Sequence, residues 1–240
     1  MDDRFIRQIV LKEVGKGGQK KLSCSRVLVV GVGGLGSSVL YCLAAAGVGH
    51  IDIVDYDKVE LTNLNRQFIH FEGDLGKEKA VSAGEKLAAF NGGIKVTPHI
   101  LRLDEKNAQD IVKSADIVLS CVDNIETRLI LNKYCVDLNI PLIDGGISGF
   151  EGYVFSVLPR LSPCLACQPT LLKNPSKEHG VIGAAASIIG SNMALTAIKT
   201  LLGIKSAGFI RYFDLLSDRV VPVRAERNPD CLVCGGAEKK

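Results

Sequence analysis

Arg26-Val27-Leu28-Val29-Val30 runs directly into Gly31-Val32-Gly33-Gly34-Leu35-Gly36 and then into an Ala-rich segment ending at Ala46. A β-branched run, four closely spaced glycines and an apolar run of helical length read as strand, tight turn and helix. Glycine at such a turn lets the backbone approach a phosphate, and the N-terminus of the helix offers it unpaired N–H groups. A second strand, Ile51 to Val54, follows, and Asp55 stands 19 residues after Gly36 at its end. A carboxylate there can accept hydrogen bonds from ribose hydroxyls. The pair points to an adenine nucleotide. By itself it suits a dehydrogenase with a dinucleotide cofactor as well as an enzyme that uses a nucleoside triphosphate.

Working outward, Asp3 to Leu22 is charged and reads as one or two short amphipathic helices. After a polar loop through Asp74, the pattern predicts helix Lys77 to Phe90, strand Ile94 to Ile100, helix Asn107 to Lys113, strand Ala115 to Ser120, helix Glu126 to Leu138 and strand Pro141 to Ile147. Beyond Gly152 come strands Tyr153 to Leu158, Phe209 to Phe213 and Arg219 to Val223, with a long apolar helix between the first two. The expected fold is α/β: a Rossmann-like nucleotide-binding sheet with helices on both faces and a partly antiparallel second half. At 240 residues, 47% of them apolar, one domain over 1–240 can bury a full sheet. Within it, 1–22 forms the N-terminal helices, 26–150 the nucleotide-binding half and 151–240 the remainder.

The balance of 29 basic against 26 acidic residues, with no basic run and 5% aromatics, argues against nucleic acid as a partner. Met1 to Lys21 is charged throughout and lacks the form of a secretory signal. Val27 to Gly49 and Val181 to Ile198 are uncharged and long enough to span a bilayer. The first is interrupted by its glycines and the second by Ser187, Ser191 and Asn192, so both are expected inside the protein and no membrane association is expected.

Cys164-Leu165-Ala166-Cys167 and Cys231-Leu232-Val233-Cys234 supply four soft ligands, spaced so that both thiolates of a pair can meet one tetrahedral ion. Structural zinc, closed to substrate, is the expectation. A disulfide framework belongs to small secreted chains, and a cytoplasmic location fits the thiols better. Cys24, Cys42, Cys121 and Cys135 stand singly and read as packed thiols. His50 precedes a strand, His70 and His99 sit in polar loops or strand ends and His179 in a loop, none with a triad around it.

The choice between nucleotides turns on Asp55-Tyr56-Asp57-Lys58-Val59-Glu60-Leu61-Thr62-Asn63-Leu64-Asn65-Arg66-Gln67 and Gly76-Lys77-Glu78-Lys79. Arg66 and Lys79 can neutralise triphosphate oxygens, Arg as a bidentate fork and Lys as a point charge, while Asn63 and Gln67 can donate to phosphate or accept from ribose. Hydride transfer has no use for such a cluster. Asp123 follows the apolar strand Ile117-Val118-Leu119 at the end where open α/β sheets bind ligands. Mg²⁺ takes one or two carboxylates plus phosphate oxygens. Asp123-Asn124 could equally cap the helix that follows.

Taken with Arg4-Phe5-Ile6-Arg7-Gln8-Ile9, Arg128, both cysteine pairs and the apolar helix after Gly183, these residues make the chain resemble the ubiquitin-activating-like adenylyltransferases, of the molybdopterin-synthase and thiamine sulfur-carrier type. The resemblance runs nearly end to end. It implies ATP- and Mg²⁺-dependent adenylation of the C-terminal glycine carboxylate of a small ubiquitin-like or sulfur-carrier protein ending in Gly-Gly, with release of pyrophosphate. Gly31, Gly33, Gly34, Gly36, Asp55, Asp57, Asn63, Gln67 and Asn124 would line the nucleotide. Arg66, Lys79 and Asp123, the last on magnesium, would be catalytic, and Arg7 would reach into the neighbouring subunit of a homodimer. The carrier would bind the half from 151 onward, its tail passing small residues such as Gly145 and Gly146, and would go on to a sulfurtransferase or conjugating enzyme. Relatives that form a thioester carry a cysteine in the loop before the apolar helix. Here Gln168 to Ile182 holds none, with Ser176 and Ile182 at the two positions of interest. An enzyme that stops at the adenylate is therefore expected, the alternatives being a thioester-forming activating enzyme or an NAD-dependent oxidoreductase.

Overall fold

The computed structural model describes residues 3–172, 180–204 and 207–235. Two helices, α1 (Ile6–Ile9) and α2 (Gly15–Cys24), precede β1 (Arg26–Val30), α3 (Gly34–Ala46) and β2 (His50–Val54). Then follow α4 (Lys79–Phe90), β3 (Lys95–His99), α5 (Ala108–Val112), β4 (Ile117–Ser120), α6 (Ile125–Asp137) and β5 (Leu142–Ser148). The second half consists of β6 (Glu151–Val157), α7 (Gly183–Leu201), β7 (Phe209–Asp214) and β8 (Arg219–Arg224).

All eight strands form one sheet in the order β3-β2-β1-β4-β5-β6-β7-β8. Pairing is parallel from β3 to β5 and antiparallel from β5 onward. The composition explains the division. The apolar runs of β1 and β4 are buried on both sides, as parallel strands between helical layers require. Pro98 and Pro222, which cannot donate to a ladder, fall in β3 and β8, the two edges.

One core, under α3, α4 and α7, joins Val27, Val29, Ile51 and Ile53 to Leu40, Leu43, Leu87 and Met193. The other lies under α5, α6 and the paired cysteines and joins Leu28, Val30 and Val118 to Val112, Leu131 and Leu165. Each fully buried leucine contributes about 1.5–3 kcal/mol. The uncharged α7 is long because it packs along α3 and against β5 and β6. A Cβ at Gly190 would lie 2.5 Å from the Leu35 carbonyl, so this glycine lets the two helices touch. Among the described residues no helix is long and apolar enough to cross a membrane.

The departures from the sequence reading are local. α4 begins at Lys79 rather than Lys77, because the backbone of the residues before it pairs with the loop, Val59 N–H donating to Lys77 O (2.9 Å) and Lys79 N–H to Asp57 O (2.8 Å). β6 begins at Glu151, because Gly149-Phe150 makes a two-residue hairpin loop with Gly149 at φ +58°. His50 is the first residue of β2 rather than its prelude.

Candidate active site

The chain leaves β1 and β4 in opposite directions, through α3 to β2 and through α6 to β5. Their carboxyl ends thus flank a crevice where ligands bind in open α/β sheets. Gly31, at φ +95°, starts the turn, and a Cβ there would lie 2.7 Å from the Cys121 carbonyl. A side chain at Gly36 would collide with the Gly31 carbonyl, and one at Gly34 would sit 3.1 Å from Ala186. These three glycines serve packing. Gly33 differs, with its nearest neighbour, Gln67 Nε2, 3.9 Å from the Cβ position. It therefore leaves the start of α3 open to the cavity.

That cavity has a volume of about 850 Å³, within the range of small-molecule clefts. Asp55, Asp57, Arg66, Gln67 and Lys79 line one side and Asp123, Asn124, Thr127 and Arg128 another. β5 and β6 close it with Gly145 to Ser148 and Glu151 to Tyr153.

Asp55 is buried and accepts from Val32 N–H (2.7 Å) and Asp57 N–H (2.8 Å), so it ties the glycine turn to the loop after β2. Burial pushes its carboxyl above the usual range, against the pull of those two N–H groups and of Lys79. Lys79 donates to Asp57 at 3.2 Å, and Arg66 donates to Thr62 O (2.8 Å) and Asn65 Oδ1 (3.0 Å). Gln67 is buried, and its Oε1 has no partner among the described residues. Behind the turn, His70 approaches Ser82 Oγ (2.9 Å) through Nδ1 and Val32 O (3.3 Å) through Nε2. A carbonyl only accepts, so Nε2 carries the proton. Burial lowers this imidazole to about 4 and keeps it neutral.

Several expected residues fall elsewhere. Asn63 does not line the cavity; its Oδ1 accepts from Glu60 N–H at 3.2 Å and holds the turn that presents Arg66. Gly36 is likewise absent from the wall. Arg7 is exposed on α1 and does not line its own chain's cavity. Asn124 is both wall and N-cap, accepting from Thr127 N–H at 2.9 Å. Asp123 is left exposed at the cavity, its carboxylate without a partner among the described residues. The space above Gly145 and Gly146 is filled from within, by Met193 and by the Tyr153 ring. Those glycines make room for the protein's own side chains while remaining on the cavity wall. His70 sits in the loop between β2 and α4, as expected, but is buried and hydrogen-bonded there. Ser176 and His179 lie outside the described residues.

Sequence reading named Arg128 but missed the partners that hold it beneath the cavity. Asp144, fully buried, accepts from Arg128 Nε (3.1 Å) and Nη2 (2.7 Å) and from Tyr153 Oη (2.8 Å). Arg128 also donates to Tyr153 and, through Nη1, to Leu171 O (2.8 Å). The available signal was a lone carboxylate inside the apolar strand Leu142-Ile143-Asp144. Cys121 is on the wall, but burial, with a contribution from Asp144, pushes its thiol up.

Beyond α6, Cys164, Cys167, Cys231 and Cys234 bring four sulfurs within 4.8 Å of one another. The separations are 3.9 Å for 164–167, 3.7 Å for 164–231 and 3.4 Å for 167–234. A tetrahedron of thiolates around zinc has an edge of about 3.8 Å, so the donor set fits.

The ThiF family model matches residues 5–233. A sulfur carrier protein adenylyltransferase of Thermus thermophilus is 39% identical over 245 residues, covering 97% of this chain and 90% of that protein. The SAMP-activating enzyme E1 of Haloferax volcanii is 38% identical, over 97% and 88%. The adenylyltransferase and sulfurtransferase MOCS3-2 of Zea mays is 40% identical over 97% of this chain, which spans only 50% of that protein. Among solved structures, E. coli MccB with ATP superposes with a TM-score of 0.87 at 26% identity, over 98% of this chain and 75% of that one. A glycine turn at the crevice of a mixed sheet, matched from residue 5 to residue 233, places the chain in the ThiF family.

Proposed function

We propose that this chain is an ATP- and Mg²⁺-dependent adenylyltransferase that activates the C-terminal glycine carboxylate of a small ubiquitin-like or sulfur-carrier protein. One observation carries the reading: the open glycine turn, the Arg66 and Lys79 cations and the unpartnered Asp123 carboxylate all face one cavity. The names of the Thermus and Haloferax relatives and of the ATP-bound neighbour support it.

A carboxylate is a poor electrophile, and adenylation gives its carbonyl an AMP leaving group. The tail's oxygen forms a bond to the α-phosphorus while the bond from that phosphorus to the β-phosphate bridge breaks, and the electron pair leaves with pyrophosphate. The nucleophile is already ionised, so no general base is needed. Arg66 and Lys79 lower the barrier by neutralising charge on the phosphates and holding them in line. Asp123 would hold Mg²⁺, which would supply positive charge to offset that of the phosphates. Asp55 has lone pairs to offer ribose hydroxyls, and Gly33 opens the α3 N-terminus to phosphate. Zinc in the four-cysteine site would be structural and remote from the chemistry.

The carrier would dock on the half from residue 151 onward, and Arg7 would complete the site of a second copy in a homodimer. The chain would stop at the adenylate, because the loop from Gln168 to Ile182 has no cysteine and the wall cysteine, Cys121, is held as a thiol. The test is ATP–pyrophosphate exchange with a Gly-Gly carrier, run beside ATP and NAD titrations. Carrier-dependent exchange is expected; tight NAD binding without ATP binding would refute the reading. A thiol-sensitive band at the summed mass on a non-reducing gel would refute the absence of a thioester.

A further inference from the structure

Asn132 lies in the middle of α6, is fully buried and points away from the nucleotide cavity. Its Oδ1 accepts from the backbone N–H of Leu165, the residue after the first cysteine of the cluster, at 2.8 Å. That bond assigns the two ends of the amide: the oxygen is spent on Leu165, and the NH₂ is the free end. There Nδ2 has no hydrogen-bond partner among the described residues. A fully buried amide donor left unpaired costs more than a typical hydrogen bond contributes, so its survival at this place calls for an acceptor. Cys164 immediately precedes Leu165, so the residue next to the one that Oδ1 holds carries a sulfur, and that cysteine is itself buried. A neutral thiol is a weak acceptor, whereas a metal-bound thiolate is a good one.

We propose that Asn132 is an outer-sphere residue of the four-cysteine metal site, donating an N–H···S hydrogen bond to the Cys164 thiolate when zinc is bound. The inference rests on the reading of the cysteines as a zinc site. It also gives α6 two attachments to the segment that carries the first cysteine pair, Asn132 to Leu165 and Arg128 to Leu171. Residues that orient and charge-balance a metal ligand in this way typically change metal affinity about 10- to 100-fold when altered.

Asn132→Asp keeps an acceptor for Leu165 N–H and removes the donor; Asn132→Leu removes both. Zinc affinity is measured by competition with a chromophoric chelator on full-length protein, after zinc content shows one ion per parent chain. A parent without zinc refutes the zinc reading itself and is thereby distinguished from failure of the Asn132 role. An affinity loss of about 10- to 100-fold in Asn132→Asp supports the proposal. Affinity within twofold of the parent overturns it. Should the variants fail to fold, the parent loaded with ¹¹³Cd gives the answer by NMR. A ¹¹³Cd correlation to a side-chain amide proton of Asn132 supports the bond, and its absence while backbone amides around the sulfurs do correlate overturns it.

Discussion

Replacing Asp144 by alanine should be among the most damaging single changes in the molecule. Its carboxylate is fully buried, and the Arg128 side chain opposite is 7% exposed. With Asp144 gone, the guanidinium keeps only Tyr153 and the Leu171 carbonyl, two dipoles that cannot neutralise it, and Tyr153 loses its acceptor. Breaking one side of a buried pair in this way costs about 3–5 kcal/mol, because the surviving charge stays out of water uncompensated. Against a total stability of about 5–15 kcal/mol, that is a large fraction. At about 2–4 °C per kcal/mol for a chain of this size, Tm should fall by about 6–20 °C. Urea unfolding, followed by far-UV circular dichroism with the slope checked for constancy, measures the change directly. The double variant Asp144→Leu with Arg128→Met, which removes both charges and fills the volume, should recover most of the loss. A loss below about 1 kcal/mol for Asp144→Ala would refute the reasoning, since it would mean that water reaches the guanidinium.

Asp123→Asn should leave Tm unchanged and remove most carrier-dependent pyrophosphate exchange, and Lys79→Ala should lower exchange likewise; near-normal exchange in the Asp123 variant would contradict the metal role. Mixing Arg7→Ala chains with Asp123→Asn chains should restore part of the activity through hybrid sites, and a monomer by light scattering or the absence of rescue would count against a shared site. Elemental analysis of protein purified without chelator should find one zinc per chain. Because His70 titrates near 4 when folded and near its ordinary 6.5 when unfolded, the unfolded chain binds the extra proton between these values. Its contribution, about 2–3 kcal/mol after allowance for solvent screening, is present above pH 6.5 and lost as the pH falls toward 4. Urea midpoints between pH 7 and 4.5 should fall less in His70→Gln than in the parent.

The fold was legible because periodicity and glycine placement speak locally. The turn from Val30 to Gly36 and the alternating strands after Gly152 could be placed from residue type alone. The cavity floor was not, because Asp144, Arg128 and Tyr153 meet only when β5, α6 and β6 assemble, and each looks ordinary in its own stretch. Gly145 and Gly146 were legible only in part for the same reason: smallness shows in sequence, but that Met193 and Tyr153 pack beside them does not. Asn63 misled because its side chain bonds to its own turn, a local competition common for Asn. Of the Asp123-Asn124 pair, the structure assigns the cap to Asn124 and leaves Asp123 at the cavity, a division that spacing alone could not make.

The cysteine cluster also has a history in time. Cys164 and Cys231 are 67 residues apart, and at synthesis rates of about 5–20 residues per second the second pair follows the first by about 3–13 s. Throughout that interval α7, β7 and β8 are still being made, and Cys164 and Cys167 can hold metal only as an incomplete, open set. If the cluster takes zinc, the nascent half-site would be open to oxidation and to other ions. Closure of a metal tetrahedron would therefore mark the moment at which the antiparallel half of the sheet has been delivered.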